Sequence, residues 1–134
     1  DLCRQAVFEN RLILSGAATE SRDFICMSDV VKAISSAVLS ELNFSADRLF
    51  NLGSGKSITI QNLAVHVAEI SEQLFGRRPA IKTLQNKPDF EVKRLKYIVD
   101  KLSKAGFSPS GTPQEALAET LNFFQTIKNT GELN

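Results

Sequence analysis

Apolar residues recur along this chain in two rhythms, as short clusters and as stripes at helical spacing. Residues 2–8 read as the end of a helix. Arg11-Leu12-Ile13-Leu14 is a short apolar run stopped by Ser15-Gly16, which is the pattern of a strand. Phe24-Ile25-Cys26-Met27 reads as a second strand. Ser28 and Asp29 then offer helix-capping side chains ahead of Val30, Val31, Ile34, Val38 and Leu42, which recur at helical spacing. A polar turn is expected over 43–47, followed by a third strand at Leu49-Phe50-Asn51-Leu52. That strand ends in Gly53-Ser54-Gly55, where glycine permits tight backbone conformations.

The clearest helix follows. Thr59 stands at its N-cap, Ile60, Leu63, Ala64, Val67, Ile70 and Leu74 form one stripe, and Gly76 occupies the C-cap position. Residues 80–84 read as a strand, and a polar loop runs through Asn86, Lys87, Pro88 and Asp89. A short helix over 98–104 is closed by Gly106. Pro113 opens a last helix whose apolar face is Leu117, Leu121, Phe124 and Ile127. Short strands alternating with helices predict an α/β chain, and its 134 residues suit one domain, 1–134. There is no internal repeat and no low-complexity segment.

Composition narrows the function classes. Hydrophobic residues make up 43% and charged ones 23%, the balance of a soluble globular protein. The net charge of +1 supplies no basic excess for nucleic acid or an anionic membrane surface. No apolar run reaches the ~20 residues that span a bilayer. Cys3 and Cys26 lack metal-ligand spacing and are too few for a disulfide framework, so a reducing cytoplasm is expected. The chain opens Asp1-Leu2-Cys3-Arg4-Gln5, without methionine or a signal-peptide pattern, and reads as the cut end of a longer chain.

Three patterns imitate catalytic motifs. Gly55-Lys56-Ser57 ends like a phosphate-binding P-loop, but position 50, where that motif needs glycine, is Phe50. An ordinary strand-to-helix turn is the better reading. Tyr97 and Lys101 have the spacing of a Tyr-x-x-x-Lys pair, in which the lysine lowers the tyrosine pKa for proton exchange. Such a pair works beside a nicotinamide, and the chain has no glycine-rich dinucleotide fingerprint after a strand. The spacing is therefore read as coincidence. His66, the single histidine, lies on a helix with no acid and nucleophile partner nearby in sequence, and is read as a partly exposed structural residue.

The most informative stretch is 10–29, NRLILSGAATESRDFICMSD. It resembles, without a gap, the segment of extended short-chain dehydrogenase/reductases that runs from an apolar strand through a glycine-containing loop to Arg-Asp-Phe-Ile and a helix-starting Asp. Three more segments follow in that family's order. They are LFNLGSGKS at 49–57, the helix over 60–76, and KLSKAGFSP at 101–109 before the last helix. The chain is thus similar to the C-terminal portion of NAD-dependent nucleotide-sugar epimerases and dehydratases, without their Rossmann cofactor domain.

That resemblance implies a carbohydrate-metabolism role in which this portion grips the diphosphate of a nucleotide-sugar. Arg22 matches the family arginine that reaches the substrate phosphates, and a guanidinium fork suits phosphate oxygens. Lys87 falls where many members carry a second phosphate-binding arginine. Here the run is Lys87-Pro88-Asp89-Phe90, which keeps the charge and loses the fork. Lys93 and Arg94 supply charge from the same loop, and Leu12, Ile13 and Leu14 match a strand near the nucleotide base. Asp23, Phe24 and Asp29 are read as architectural, with Phe24 packing and the two carboxylates satisfying backbone amides at turns and the helix start. Cys26 and Ala18 depart from the residues most common in the family, which bears on substrate subtype.

The resemblance further implies that NAD(P) belongs to the full-length enzyme and that this chain binds no cofactor itself. Its implied partners are a nucleotide-diphosphate sugar, the missing Rossmann domain and, through apolar faces left uncovered, further copies of the chain. The rival expectation is a non-catalytic interaction or scaffold module that kept the fold.

Overall fold

The computed structural model describes residues 1–15, 18–39, 42, 49–84 and 97–131. Their elements, in order, are α1 (Leu2–Glu9), β1 (Arg11–Leu14), β2 (Ser21–Asp23), α2 (Met27–Val38), β3 (Ser57–Thr59), α3 (Ile60–Phe75), β4 (Ala80–Thr83), α4 (Asp100–Lys104) and α5 (Pro113–Thr130). The α/β expectation is met. The strands pair into two small sheets: β1 runs parallel to β4 with Leu12 opposite Ile81, and β2 runs antiparallel to β3 with Arg22 opposite Ile58.

The ends of α3 and the start of α5 follow the capping chemistry of the sequence, whereas α2 starts after Cys26 with no side-chain cap and Asp29, expected to cap it, bonds to Ser110 and Gly111 instead. The Thr59 hydroxyl accepts the Asn62 N–H at 3.1 Å, and Gly76 closes α3 with φ 67°, a conformation open to glycine at no steric cost. Thr112 and Glu115 form a reciprocal capping box at the start of α5, with Pro113 in the first turn.

The main core lies where α1, β1, α3 and α5 meet, and it includes Val7, Leu12, Leu14, Val67, Ala68 and Leu121. Leu12 and Leu121 are fully buried, so truncating either to alanine removes about 2–5 kcal/mol. A second cluster joins Ala33 of α2 to Leu42, Leu102, Ala105 and Phe107.

Three expectations need correction. Residues 24–26 are not in a ladder. The strand is Ser21–Asp23 and the helix begins at Met27, because the pairing partner Ser57–Thr59 reaches only as far as Asp23. Likewise 49–52 forms no strand, and β3 comes after the glycine turn rather than before it. Helical spacing in α2 is right, but only part of the expected stripe packs: Val30 is half-buried and Leu42, beyond the helix end, joins the second core cluster, while the other three members face outward. Val31, Ile34 and Val38 are 56%, 57% and 75% exposed, whereas Asp29 and Ala33 face inward. The polar turn over 43–47 and the loop over 86–89 lie outside the described residues.

Candidate functional site

Leu14 ends β1, and its carbonyl accepts the Leu84 N–H at 2.9 Å, which holds β4 alongside. Its side chain is buried in the core and also borders a cavity of about 480 Å³. That cavity is walled by the start of α1, the end of β1, Phe24 and Cys26, and by Leu63 of α3 and Thr120 of α5. Its volume falls within the ~300–1,000 Å³ typical of small-molecule sites. Mostly apolar walls with a few polar groups, Asp1, Ser15 and Thr120 among them, suit a flat or ring-bearing ligand. Phe24, read from sequence as a packing residue, is 40% exposed and forms part of this wall.

Arg22 does not line that cavity. It projects outward from β2, where Nη2 lies 2.6 Å from Glu20 Oε2 and Nη1 donates to the Ser21 carbonyl at 3.0 Å. An exposed pair of this kind contributes at most about 1 kcal/mol, so an anion can displace Glu20 at little cost. Lys87, Lys93 and Arg94 lie outside the described residues.

The neighbouring carboxylates act on backbone. Asp23 Oδ1 accepts the Ser54 N–H at 2.7 Å and ties β2 to the glycine turn. Gly53 is required there, since a Cβ would sit 2.5 Å from the Tyr97 ring and 3.2 Å from Asp23 Oδ1. Asp29 is fully buried and accepts the N–H groups of Ser110 (3.1 Å) and Gly111 (2.9 Å). Burial opposes its charge, yet the two amides, with Lys32 nearby, hold its carboxyl below the ordinary value.

The P-loop imitation is a self-satisfied turn. The Ser54 amide is taken by Asp23, and the Lys56 N–H donates to Ser54 Oγ at 3.1 Å, so neither points at a phosphate. Tyr97 packs over Gly53. Both thiols are held protonated above the ordinary range. Burial is the main cause for each, and for Cys26 the acidic Asp29, Glu115 and Glu119 add to it. Cys26 donates to the Thr112 carbonyl at 3.4 Å and is poorly suited to nucleophilic chemistry.

Among the described residues, the glycine turn at 53–55 does not fit the pyrophosphate of a dinucleotide. That group needs free amides in a glycine-rich turn between a parallel strand and a helix. Here the glycine turn's Ser54 and Lys56 amides are occupied, and β3, which follows, is antiparallel to β2. Among the described residues no group of three or more His, Cys, Asp or Glu is placed to hold a metal ion, and no helix is long and apolar enough to cross a membrane.

Known structures place this arrangement. NADPH-bound RMD from Pseudomonas aeruginosa superposes with a TM-score of 0.73 at 21% identity, over 93% of this chain and 41% of that one. The fold is theirs. UDP-glucuronic acid 4-epimerase from Bacillus cereus, in complex with NAD, gives 0.71 at 19% identity, over 94% of this chain and 38% of that one. UDP-N-acetylglucosamine 4-epimerase from Methanobrevibacter ruminantium M1, in complex with UDP-N-acetylmuramic acid, gives 0.68 at 24% identity, over 92% and 38%. The chain therefore has the fold of one part of these NAD(P)-dependent sugar-nucleotide enzymes and spans about two fifths of their length. No protein-family model matches the chain, and no curated protein matches it.

Sequence reasoning missed the cavity. Its wall draws single residues from α1, β1, the 24–26 segment, α3 and α5, and no local pattern marks such a meeting.

Proposed function

We propose that this chain is the nucleotide-sugar-binding portion of an NAD(P)-dependent sugar epimerase or dehydratase, inactive by itself. The observation that carries this reading is the fold match over nearly all of this chain but about two fifths of such enzymes. The cavity beside Leu14 supports it by offering an apolar seat for a nucleotide's ring. In this reading Arg22 exchanges Glu20 for a substrate phosphate, Lys87 and Arg94 add charge, and Leu14 lies beside the base. Binding energy from this remote end then orients the sugar at a nicotinamide held by a Rossmann domain. The setting is cytoplasmic carbohydrate metabolism. Apolar faces such as that of α2 are covered by the cofactor domain or by a second copy.

Calorimetry with UDP tests the reading. Measurable binding that falls about tenfold in Arg22→Ala is expected, the loss of one charge-assisted phosphate contact. Absence of UDP binding to the unsubstituted chain overturns it in favour of a non-catalytic interaction module, which the exposed stripe on α2 would serve. Turnover of a UDP-sugar by this chain with NAD alone overturns the claim of inactivity.

A further inference from the structure

We infer that Asp29 is a positioning residue for the cavity beside Leu14. It clips the loop before α5 to the first turn of α2, and this clip sets how closely two walls of the cavity stand. One wall is Phe24, Ile25 and Cys26, and another is the opening turns of α5, with Pro113, Ala116 and Thr120. Residues 24–26 belong to no regular element, since β2 ends at Asp23 and α2 begins at Met27. Neither a ladder nor a helix fixes that wall, so its place follows that of α2.

Apolar packing does little to hold α2. Val31, Ile34 and Val38 are exposed, and the helix joins the second core cluster through the small side chains of Ala33 and Ala37. Its polar ties converge instead on residues 110–112. Asp29 accepts the Ser110 N–H at 3.1 Å on one oxygen and the Gly111 N–H at 2.9 Å on the other. Lys32 Nζ donates to Ser110 Oγ at 3.1 Å, and Cys26 Sγ donates to the Thr112 carbonyl at 3.4 Å. The lysine bond is exposed and a thiol is a weak donor, so the two bonds to the fully buried carboxylate dominate.

Gly111 permits the close approach. A Cβ there would stand 2.9 Å from Cys26 Sγ and 3.0 Å from Asp29 Oδ2, so any larger residue wedges the two walls apart. Thr112 caps α5 and Pro113 is its first residue, so the clip acts directly on the start of that helix. A wall fixed in advance by supporting hydrogen bonds costs a ligand less on binding than one that must be ordered around it. The clip shapes the cavity whatever the cavity binds, whereas its effect on UDP rests on the nucleotide-sugar reading.

The test follows Cys26 itself. Its alkylation by iodoacetamide is measured in the full chain by peptide mass spectrometry, which counts Cys3 separately. Rates taken over a range of pH separate the reactivity of the thiolate from the pKa of the thiol. Gly111→Ala wedges the clip, and Asp29→Asn turns an amide donor towards a backbone N–H. Each should speed labelling of the Cys26 thiolate several-fold and lower UDP affinity about tenfold. Phe8→Leu, which loosens α1 against α5 at the contact with Phe124, should change neither. Should one clip variant fail to fold, the other decides. Labelling no faster in the clip variants than in Phe8→Leu overturns the inference, as does UDP affinity equal in all forms. Faster labelling in the clip variants with no UDP binding by any form upholds the clip and removes the nucleotide-sugar reading instead.

Discussion

Asp29 and Gly111 lie 82 residues apart in sequence and are joined by a 2.9 Å hydrogen bond from the Gly111 N–H to the buried Asp29 carboxylate. With the Ser110 amide, it fastens the loop before α5 to the first turn of α2. Asp29→Ala leaves two amides with no acceptor and should destabilise the chain by about 3 kcal/mol, measured by urea unfolding.

The same bond has a pH signature. The folded protein holds the Asp29 carboxyl below its ordinary 3.8, so the unfolded chain takes up the proton first as pH falls. The contribution is therefore complete above about pH 5 and is lost as pH drops below 3.8 towards the folded value. Melts across pH 3–7 should show an acid-side slope that is smaller in Asp29→Asn. An unchanged slope would assign the acid sensitivity to other carboxylates.

Glu20 should act as an internal competitor. Its 2.6 Å pair with Arg22 occupies the guanidinium that the nucleotide-sugar reading assigns to phosphate. Glu20→Gln should strengthen UDP binding a few-fold while moving stability by less than about 0.5 kcal/mol, because both side chains are exposed. Weaker UDP binding in that variant would mean that Glu20 orients Arg22 rather than competing for it.

Gly53 is a steric prediction. With Tyr97 carbons 2.5 and 2.6 Å from a Cβ, Gly53→Ala should cost about 1–3 kcal/mol by forcing the ring or the turn to shift. Pairing it with Tyr97→Ala should recover part of that loss. Strict additivity in the double-mutant cycle would contradict the contact.

The outward face of α2 is a prediction about association. Ile34→Glu and Val38→Lys should leave unfolding free energy within about 0.5 kcal/mol, since both residues are exposed, while abolishing self-association in sedimentation equilibrium. A monomer at high concentration without any substitution would remove self-association from the proposal.

How much of this was legible in the sequence depends on whether the signal was local. The cap at Thr59, the glycine stop at Gly76, the Pro113 start and the stripe through Leu117, Leu121 and Phe124 were all readable, because capping and helical periodicity act within a few residues. The strand positions around 24 and 50 were misread, because a three-residue strand exists only where a partner lies, and that partner is distant in sequence. Arg22 was singled out by its setting in Arg-Asp-Phe-Ile, but its pairing with Glu20 and its distance from the cavity wall were not visible there.

By itself the sequence determined where α3 begins and ends, where α5 begins, the α/β class and a charge balance without a basic excess, since each depends on neighbouring residues or on composition. Tertiary structure alone decided that Val31, Ile34 and Val38 of α2 point away from the core, that Asp29 accepts the Ser110 and Gly111 amides, and that a cavity is walled in part by the 24–26 segment. Those are properties of surfaces brought together across tens of residues. Periodicity marks which side of a helix is apolar, but only packing decides what that side meets.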